Sequence, residues 1–403
     1  MNQTPLGNRD LIRAINRSII LNTVKTMGAV ARAEMARLTG LSPATVTAIT
    51  ADLIAEELIF EKQTGDSNGG RRPILLALNP GGRYVAGIKL MEDHAVGALT
   101  DLEATIIARQ TVALPAEHAV ESVLAALAGM VEALLAQAGV PRRKLLGVGL
   151  GLAGIVDSER GVLRQSPFLG WRDLPLRDLV GDAVRLPVTL DNDANCAIYG
   201  EWWVGAAKGS RYVVGLTIGT GIGGGIVIDG RIYHGASDIA GEIGHTTIDS
   251  TGRLCKCGNY GCVEAYASGP AIAARALEGI SAGVETRLPE FVAGDLSRIT
   301  AQTVYEAARH EDDFALELVR ETAKFLGAGV ANLVNIFNPD VIVLVGGVTL
   351  AGDRLFVPLR AEVKRRAFKP AVERCRILPG TLPGTAGVFG AAATFKLQTW
   401  GQA

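Results

Sequence analysis

The chain has 403 residues, of which 48 % are apolar but only 5 % aromatic, so its cores are built from aliphatic side chains and alanine. A chain this long points to two or three domains. The net charge of −1 excludes a globally basic nucleic-acid binder, so any DNA contact must come from a local patch. Residues 1–80 carry nine basic against seven acidic side chains and the remainder 31 against 34, a small asymmetry of the right sign.

The opening MNQTPLGNRDLIRAINRS lacks the apolar core of a signal peptide. No run reaches about 18 uninterrupted apolar residues, and the best candidate, around 341–350, reads as a buried strand. Five cysteines, three of them within eight positions, do not suit a disulfide framework. A cytoplasmic protein without a membrane partner is expected.

Leu11, Ile12, Ile15, Ile19, Ile20 and Val24 recur at helical spacing over 10–27. A short second helix follows in RAEMARLTG, with Ala33, Met35, Ala36 and Leu38 expected to face inward. Thr39-Gly40-Leu41 breaks it; Ser42 suits an N-cap and Pro43 the first helical position. A third helix should run from Pro43 to about Glu57, burying Val46, Ile49, Leu53 and Ile54. Helix, glycine-containing turn and capped helix form the helix-turn-helix pattern. The positions expected to be exposed at the start of the third helix are Ser42, Ala44, Thr45 and Thr47, small enough for a major groove. Two strands, about 58–63 and 73–78, flank TGDSNGGRR, a wing that would carry Arg71 and Arg72 to a phosphate backbone or minor groove. The blander alternative is a small helical protein-interaction domain with a solvated charged loop.

From about residue 82 the texture becomes α/β. Three extended segments (YVAGIKLM, HAVGALTDL, TIIARQTVAL) precede an amphipathic helix over about 117–138 and a glycine-rich strand, LLGVGLGLAGIVD. VTLDND then runs into the helix ANCAIYGEWWVGAA. A second three-strand set begins at YVVGLTIGTGIGGGIVIDGRIY, followed by helices over about 300–336, the strand VIVLVGGV and a final helix, TAGVFGAAATFKL. The repeated order suggests two similar α/β lobes with a cleft between them.

Four constellations carry chemistry. His245, Cys255, Cys257 and Cys262 put three thiols and an imidazole within 18 positions, a donor set for a closed, structural zinc site; buried free cysteines with a core histidine are the alternative. Asp191, Asn192 and Asp193 lie where a strand runs into a helix, either facing a ligand cleft or simply capping the helix. Glu242 and Glu264 flank the cysteine-rich segment, as rigidly held acceptors for a polyol or as surface charges. TIGTGIGGG, residues 217–225, can cradle phosphate or make a tight hairpin.

Asn16 and LSPATVT, GLAGIVD, LGWRDLPL, DNDAN, TIGTGIGGG, GEIGH and CKCGNYGCVE together resemble the ROK family (repressors, open reading frames and kinases) over nearly the whole chain. The resemblance implies an actin-like, two-lobed sugar-kinase fold preceded by a winged helix-turn-helix. The domains implied are 1–80 for DNA binding, 81–190 with 385–403 for the first lobe, and 191–384 for the second. It implies zinc on His245, Cys255, Cys257 and Cys262, and sugar contacts from Asn192, Asp193, Glu242, His245 and Glu264. Asp193 would be the catalytic base if kinase activity were retained. Kinase members carry a DxGGT-type phosphate loop; here the stretch is GIKLMEDHAVG, residues 87–97, with Lys89 in place of the aspartate and Glu92 and Asp93 in place of glycines. Two carboxylates repel polyphosphate, and without glycine the backbone cannot approach it. Phe168 replaces an asparagine common in the family's SPNLGW segment. The expected function is therefore a non-catalytic, sugar-responsive repressor acting on a double-stranded operator as a homodimer or homotetramer. An active sugar kinase and a sugar-independent repressor are the competing readings.

Overall fold

The computed structural model describes residues 9–63 and 73–400. Two compact units emerge. One holds the described residues up to Asp191 together with those from Ala391 onward; the other runs from Asn192 to Gly390.

The first unit opens with α1 (Arg9–Met27), β1 (Ala29–Ala31), α2 (Arg32–Thr39), α3 (Pro43–Ala55), β2 (Ile59–Gln63) and β3 (Ile74–Leu78), the strands forming an antiparallel sheet in the order β1-β3-β2. This is a winged-helix arrangement. Gly40, at φ +70°, ends α2, and the chain turns by 117° into α3, within the range of helix-turn-helix pairs. Ser42 caps α3 by accepting the Thr45 N–H at 3.1 Å, with Pro43 at its first position.

Ile20, Val24, Val30, Met35, Val46, Leu53 and Leu76 form the centre of this domain's core. Several expectations shift. Ile12 and Ile15 are exposed on α1, and Ala33 and Leu38 are exposed on α2, where Met35 alone is fully buried. Such a short helix turns only one side chain squarely inward. Helix α3 stops at Ala55, because Glu56 closes it and Glu57 takes a left-handed φ of +61°. The strand β1 was not legible: three residues carry no period, and only pairing with β3 defines it. Arg71 and Arg72 lie outside the described residues. Leu102 and the half-buried Leu146, from the α/β body, complete the same core.

The body continues with β4 (Tyr84–Leu90), β5 (His94–Thr100), β6 (Ile106–Ala113), α4 (Val120–Ala138) and β7 (Leu145–Leu152). LLGVGLGLAGIVD is not one strand. β7 ends, and β8 (Ile155–Asp157) starts a small sheet with β9 (Val162–Gln165) and β10 (Arg172–Leu174). Gly154 makes the break at φ +144°, where a Cβ would stand 2.3 Å from the Gln165 carbonyl oxygen. α5 (Leu176–Val184) and β11 (Val188–Asn192) follow, giving a five-stranded sheet in the order β11-β7-β4-β5-β6. Among the described residues, α4 is the one unbroken helix long and apolar enough to cross a membrane. Its apolar face, with Val123, Leu127, Met130 and Leu134, is buried in the core that covers this sheet.

The second unit begins with α6 (Asp193–Trp203), shorter than the sequence suggested, then β12 (Tyr212–Ile218), β13 (Ile222–Ile228) and β14 (Arg231–Ile232). After α7 (Glu264–Ala267), α8 (Gly269–Ser281), α9 (Ala301–Arg309) and α10 (Asp313–Phe337) come β15 (Val341–Val345), α11 (Asp353–Arg366), α12 (Lys369–Arg374) and β16 (Arg376–Pro379). The sheet order is β14-β13-β12-β15-β16, with β12–β13 antiparallel and β12–β15 parallel. The first sheet has the same plan, an antiparallel three-strand run whose first strand also pairs in parallel with a later one. The repetition read from the order of elements is therefore real. α13 (Ala386–Trp400) ends the described chain.

Candidate metal centre and ligand-binding residues

A loop knotted on itself gathers the sulfurs. Ile248 N–H donates to Gly261 O at 2.8 Å, Cys255 N–H to Asn259 O at 2.8 Å and Gly258 N–H to Cys255 O at 2.9 Å, while Leu254 pairs with Tyr260 and Thr247 with Cys262. Gly261, at φ +72°, is pressed so closely on Asp249 that a Cβ would meet its carbonyl oxygen at 1.6 Å. The result is one His/Cys₃ cluster among the described residues: a donor atom from each of His245, Cys255, Cys257 and Cys262, all within 4.8 Å of one another.

Cys255 Sγ stands 3.7 Å from His245 Nδ1, and Cys257 Sγ 3.7 Å from Cys262 Sγ. A tetrahedral ion with metal–sulfur bonds of about 2.3 Å needs sulfur–sulfur edges of about 3.8 Å. The cluster thus fits a four-coordinate metal. Burial pushes the Cys262 thiol up to about 12 and raises Cys255, whereas the Asn259 backbone N–H lowers Cys257. Two of the three sulfurs therefore resist ionisation unless a cation supplies the compensating charge. Asn259, which sequence reasoning missed, points its amide at Cys262 Sγ (3.7 Å) and at Thr247 Oγ1 (3.0 Å), an outer partner for the cluster. Its position inside CKCGNYGC was the available signal.

His245 turns Nδ1 to the sulfurs and Nε2 to Glu242, whose Oε2 lies 3.8 Å away. That is too long for a direct hydrogen bond. Asn192 is the N-cap of α6, its Oδ1 accepting from the N–H groups of Ala194 (2.8 Å) and Asn195 (3.3 Å). The capping alternative therefore holds for Asn192, and any hydroxyl it engages would meet its amide N–H group. Asp193 opens the same helix, half-buried. Glu264 opens α7, and its Oε2 accepts the Ile222 N–H at 2.8 Å.

Three consecutive residues of β13 collect these elements. Ile222 holds Glu264; a methyl added at Gly223 would lie 2.8 Å from the Ala194 methyl, next to Asp193; one at Gly224 would lie 2.4 Å from Ile243, next to Glu242. The glycines of TIGTGIGGG thus serve close packing, and Gly219-Thr220-Gly221 forms the β12–β13 hairpin turn.

At the other candidate site, Ser42, Ala44 and Thr47 are exposed, but Thr45 is half-buried. Thr45 Oγ1 lies 2.8 Å from Ser42 Oγ, and Thr47 Oγ1 donates to the Pro43 carbonyl at 2.8 Å. Phe168 is exposed in the turn between β9 and β10. Lys89 lies half-buried on β4, and Glu92 and Asp93 are exposed in the β4–β5 turn.

Comparison with known proteins follows the same division. The xylose repressor of Caldicellulosiruptor bescii is 33 % identical over 388 residues, which is 96 % of this chain and 97 % of the relative. The glucokinase of Halalkalibacterium halodurans is 41 % identical, but over 258 residues, 63 % of this chain and 77 % of its own. A solved ROK family transcriptional regulator, described as a homologue of the Escherichia coli MLC protein, superposes with a TM-score of 0.85 at 26 % identity, over 96 % of this chain and 97 % of its own. The ROK family profile itself matches residues 85–398, from β4 into α13. A match that takes in both repeated sheets and the cysteine-rich loop leaves one assignment: the chain belongs to the ROK family.

Proposed function

We propose that the chain is a sugar-responsive, DNA-binding repressor of genes for carbohydrate uptake or catabolism, and that its ROK body transfers no phosphate. The observation that carries this reading is the shared core: Leu102 and Leu146 of the body pack with Ile20, Met35 and Leu53 of the winged domain. Such a shared core would let a DNA-binding domain respond to the body. The relatives that span the chain nearly end to end are regulators.

The His/Cys₃ cluster holds zinc, whose role is to close the loop and fix His245. A ligand hydroxyl between His245 Nε2 and Glu242 Oε2 would accept from the first and donate to the second. Asn192, Asp193 and Glu264 supply the remaining contacts to a sugar. The start of α3, with Ser42, Ala44, Thr45 and Thr47, enters the major groove of a double-stranded operator, and Arg71 and Arg72 contact its backbone. Thr47 spends its hydroxyl hydrogen inside α3, so it reads bases as an acceptor and through its methyl. A homodimer or homotetramer in the cytoplasm suits a two-fold symmetric operator.

The β4–β5 turn supports the absence of phosphoryl transfer. It is tight, with Met91 N–H donating to His94 O at 2.9 Å, and it exposes Glu92 and Asp93. The His94 ring beside Asp93 holds that carboxyl below the usual range, so it stays charged. The kinase reading keeps in its favour the carboxylate of Asp193 at the helix start and the retained glycine loop TIGTGIGGG.

The deciding experiment measures binding to the tightest duplex selected from genomic fragments, with D-xylose, D-glucose or N-acetyl-D-glucosamine, alongside ATP turnover with the same sugars. One sugar should change operator affinity by about 10- to 100-fold, a coupling of about 1.4–2.7 kcal/mol, without turnover. Sustained turnover abolished by Asp193→Asn would establish the kinase instead. An operator affinity indifferent to every sugar would leave the sugar-independent repressor.

A further inference from the structure

Glu201 is a fully buried carboxylate at the end of α6. Four donors converge on it. Oε2 accepts from Ala206 N–H (2.8 Å), Thr381 N–H (3.1 Å) and the Thr381 hydroxyl (3.3 Å), and Oε1 from Leu382 N–H (2.9 Å). Two glycines make room for it: a Cβ at Gly205 would stand 2.1 Å from Oε2, and one at Gly380 2.6 Å from Oε1. Neither the metal cluster nor the sugar contacts use this group. Enclosing a carboxylate so completely is costly unless its position matters.

Its position does matter. The chain passes between the two units twice, at Asp191/Asn192 and at Gly390/Ala391. The first crossing abuts Asn192 and Asp193, which begin α6. The second lies within α13. α6 and the first turn of α13 are in backbone contact: a Cβ at Gly200 would meet Ala386 O at 2.2 Å, and one at Gly390 would meet Cys196 O at 1.5 Å. Glu201 also fastens Gly380–Leu382, the segment leading into α13, to the end of α6. Beyond the crossing, α13 lies against β7, where a Cβ at Gly149 would meet Ala391 O at 1.7 Å, and Lys396 Nζ donates to Asp101 O at 2.8 Å. Asp101 adjoins Leu102, part of the winged-domain core.

We propose that Glu201 is a positioning residue that clamps Gly380–Leu382, the segment leading into the second crossing, to the end of α6, so that sugar occupancy at the start of α6 reaches the DNA-binding domain. This rests on the repressor reading above. A displacement of α6 then moves both connections together. Without the grip, only the α6–α13 packing at Gly200 and Gly390 carries the motion, and less of it passes.

The test uses the full-length, zinc-loaded protein, the selected duplex and whichever of D-xylose, D-glucose and N-acetyl-D-glucosamine changes wild-type operator binding. E201Q puts an NH₂ group against N–H donors while preserving volume. Expected are sugar affinity and sugar-free operator affinity within about threefold of wild type, with the sugar-induced change in operator affinity reduced about tenfold. A lowered melting temperature with the sugar response intact would make Glu201 a packing residue only and overturn the proposal. If E201Q does not fold, Thr381→Val removes a single donor: a weakened sugar response supports the proposal, and an unchanged one overturns it. A wild-type protein deaf to all three sugars would bring down the repressor reading and this inference together. A responsive wild type with an equally responsive E201Q would bring down this inference alone.

Discussion

Glu264 is fastened to Ile222: its Oε2 accepts the Ile222 backbone N–H at 2.8 Å, tying the end of the cysteine-rich loop to the β12–β13 turn. One carboxylate thus braces the hairpin, and in the proposed reading its other oxygen meets the sugar. Glu264→Ala should weaken sugar binding about 10- to 100-fold, since hydrogen bonds to a charged group contribute about 1.5–3 kcal/mol. Titration calorimetry reads this directly. A mutant that binds sugar as tightly as wild type would remove Glu264 from the contact set.

Metal removal should act on the sugar site as well as on the loop. Atomic emission should find one zinc per chain in the native protein and none in Cys262→Ser, with Cys375→Ser, outside the cluster, unchanged. Chelation should lower the melting temperature and abolish sugar binding, because His245 would lose the bond that aims its Nε2 at Glu242. Full sugar affinity in the metal-free protein would separate the two roles.

Ser42 offers a test of the winged domain. Replacing it by alanine removes the acceptor for the Thr45 N–H and should cost about 1 kcal/mol, and glycine only a few tenths. Urea titration measures both. Operator affinity should fall more in Ser42→Ala than the stability loss alone explains, since the proposed reading sets this exposed position against the groove.

Lys396 should make stability depend on pH. Burial, helped by the nearby charge of Lys25, depresses it from 10.5 to about 7. Between those values the unfolded chain binds a proton that the native one does not, so stability rises with pH across the window and levels off below about 7. Relative to Lys396→Met, the wild type should gain about 2 kcal/mol between pH 7 and 9. Identical pH profiles for the two proteins in urea would rule out a neutral buried lysine.

Much of this molecule can be read in its sequence wherever the signal is local. Ser42-Pro43 after Gly40 announces a capped helix, and four metal-ligating side chains within 18 positions announce a cluster before any coordinates. What escaped depends on partners far away in the chain. β1 exists because β3 pairs with it, and β16 because β15 does. The break between β7 and β8 follows from Gln165 pressing on Gly154. Leu38 looked like core and is exposed, because α2 offers its neighbours only the width of Met35. Nothing local in the sequence marks Glu201 as a buried acid, and only the return of the chain at Thr381 and Leu382 reveals what it holds.

Every residue proposed for sugar or metal lies between Asn192 and Gly390, and the backbone enters and leaves that stretch at two points. Such an arrangement behaves as a cassette with two seams. Exchange of this cassette between relatives, cut at Asp191/Asn192 and Gly390/Ala391, would carry the sensed sugar across while leaving the operator sequence untouched.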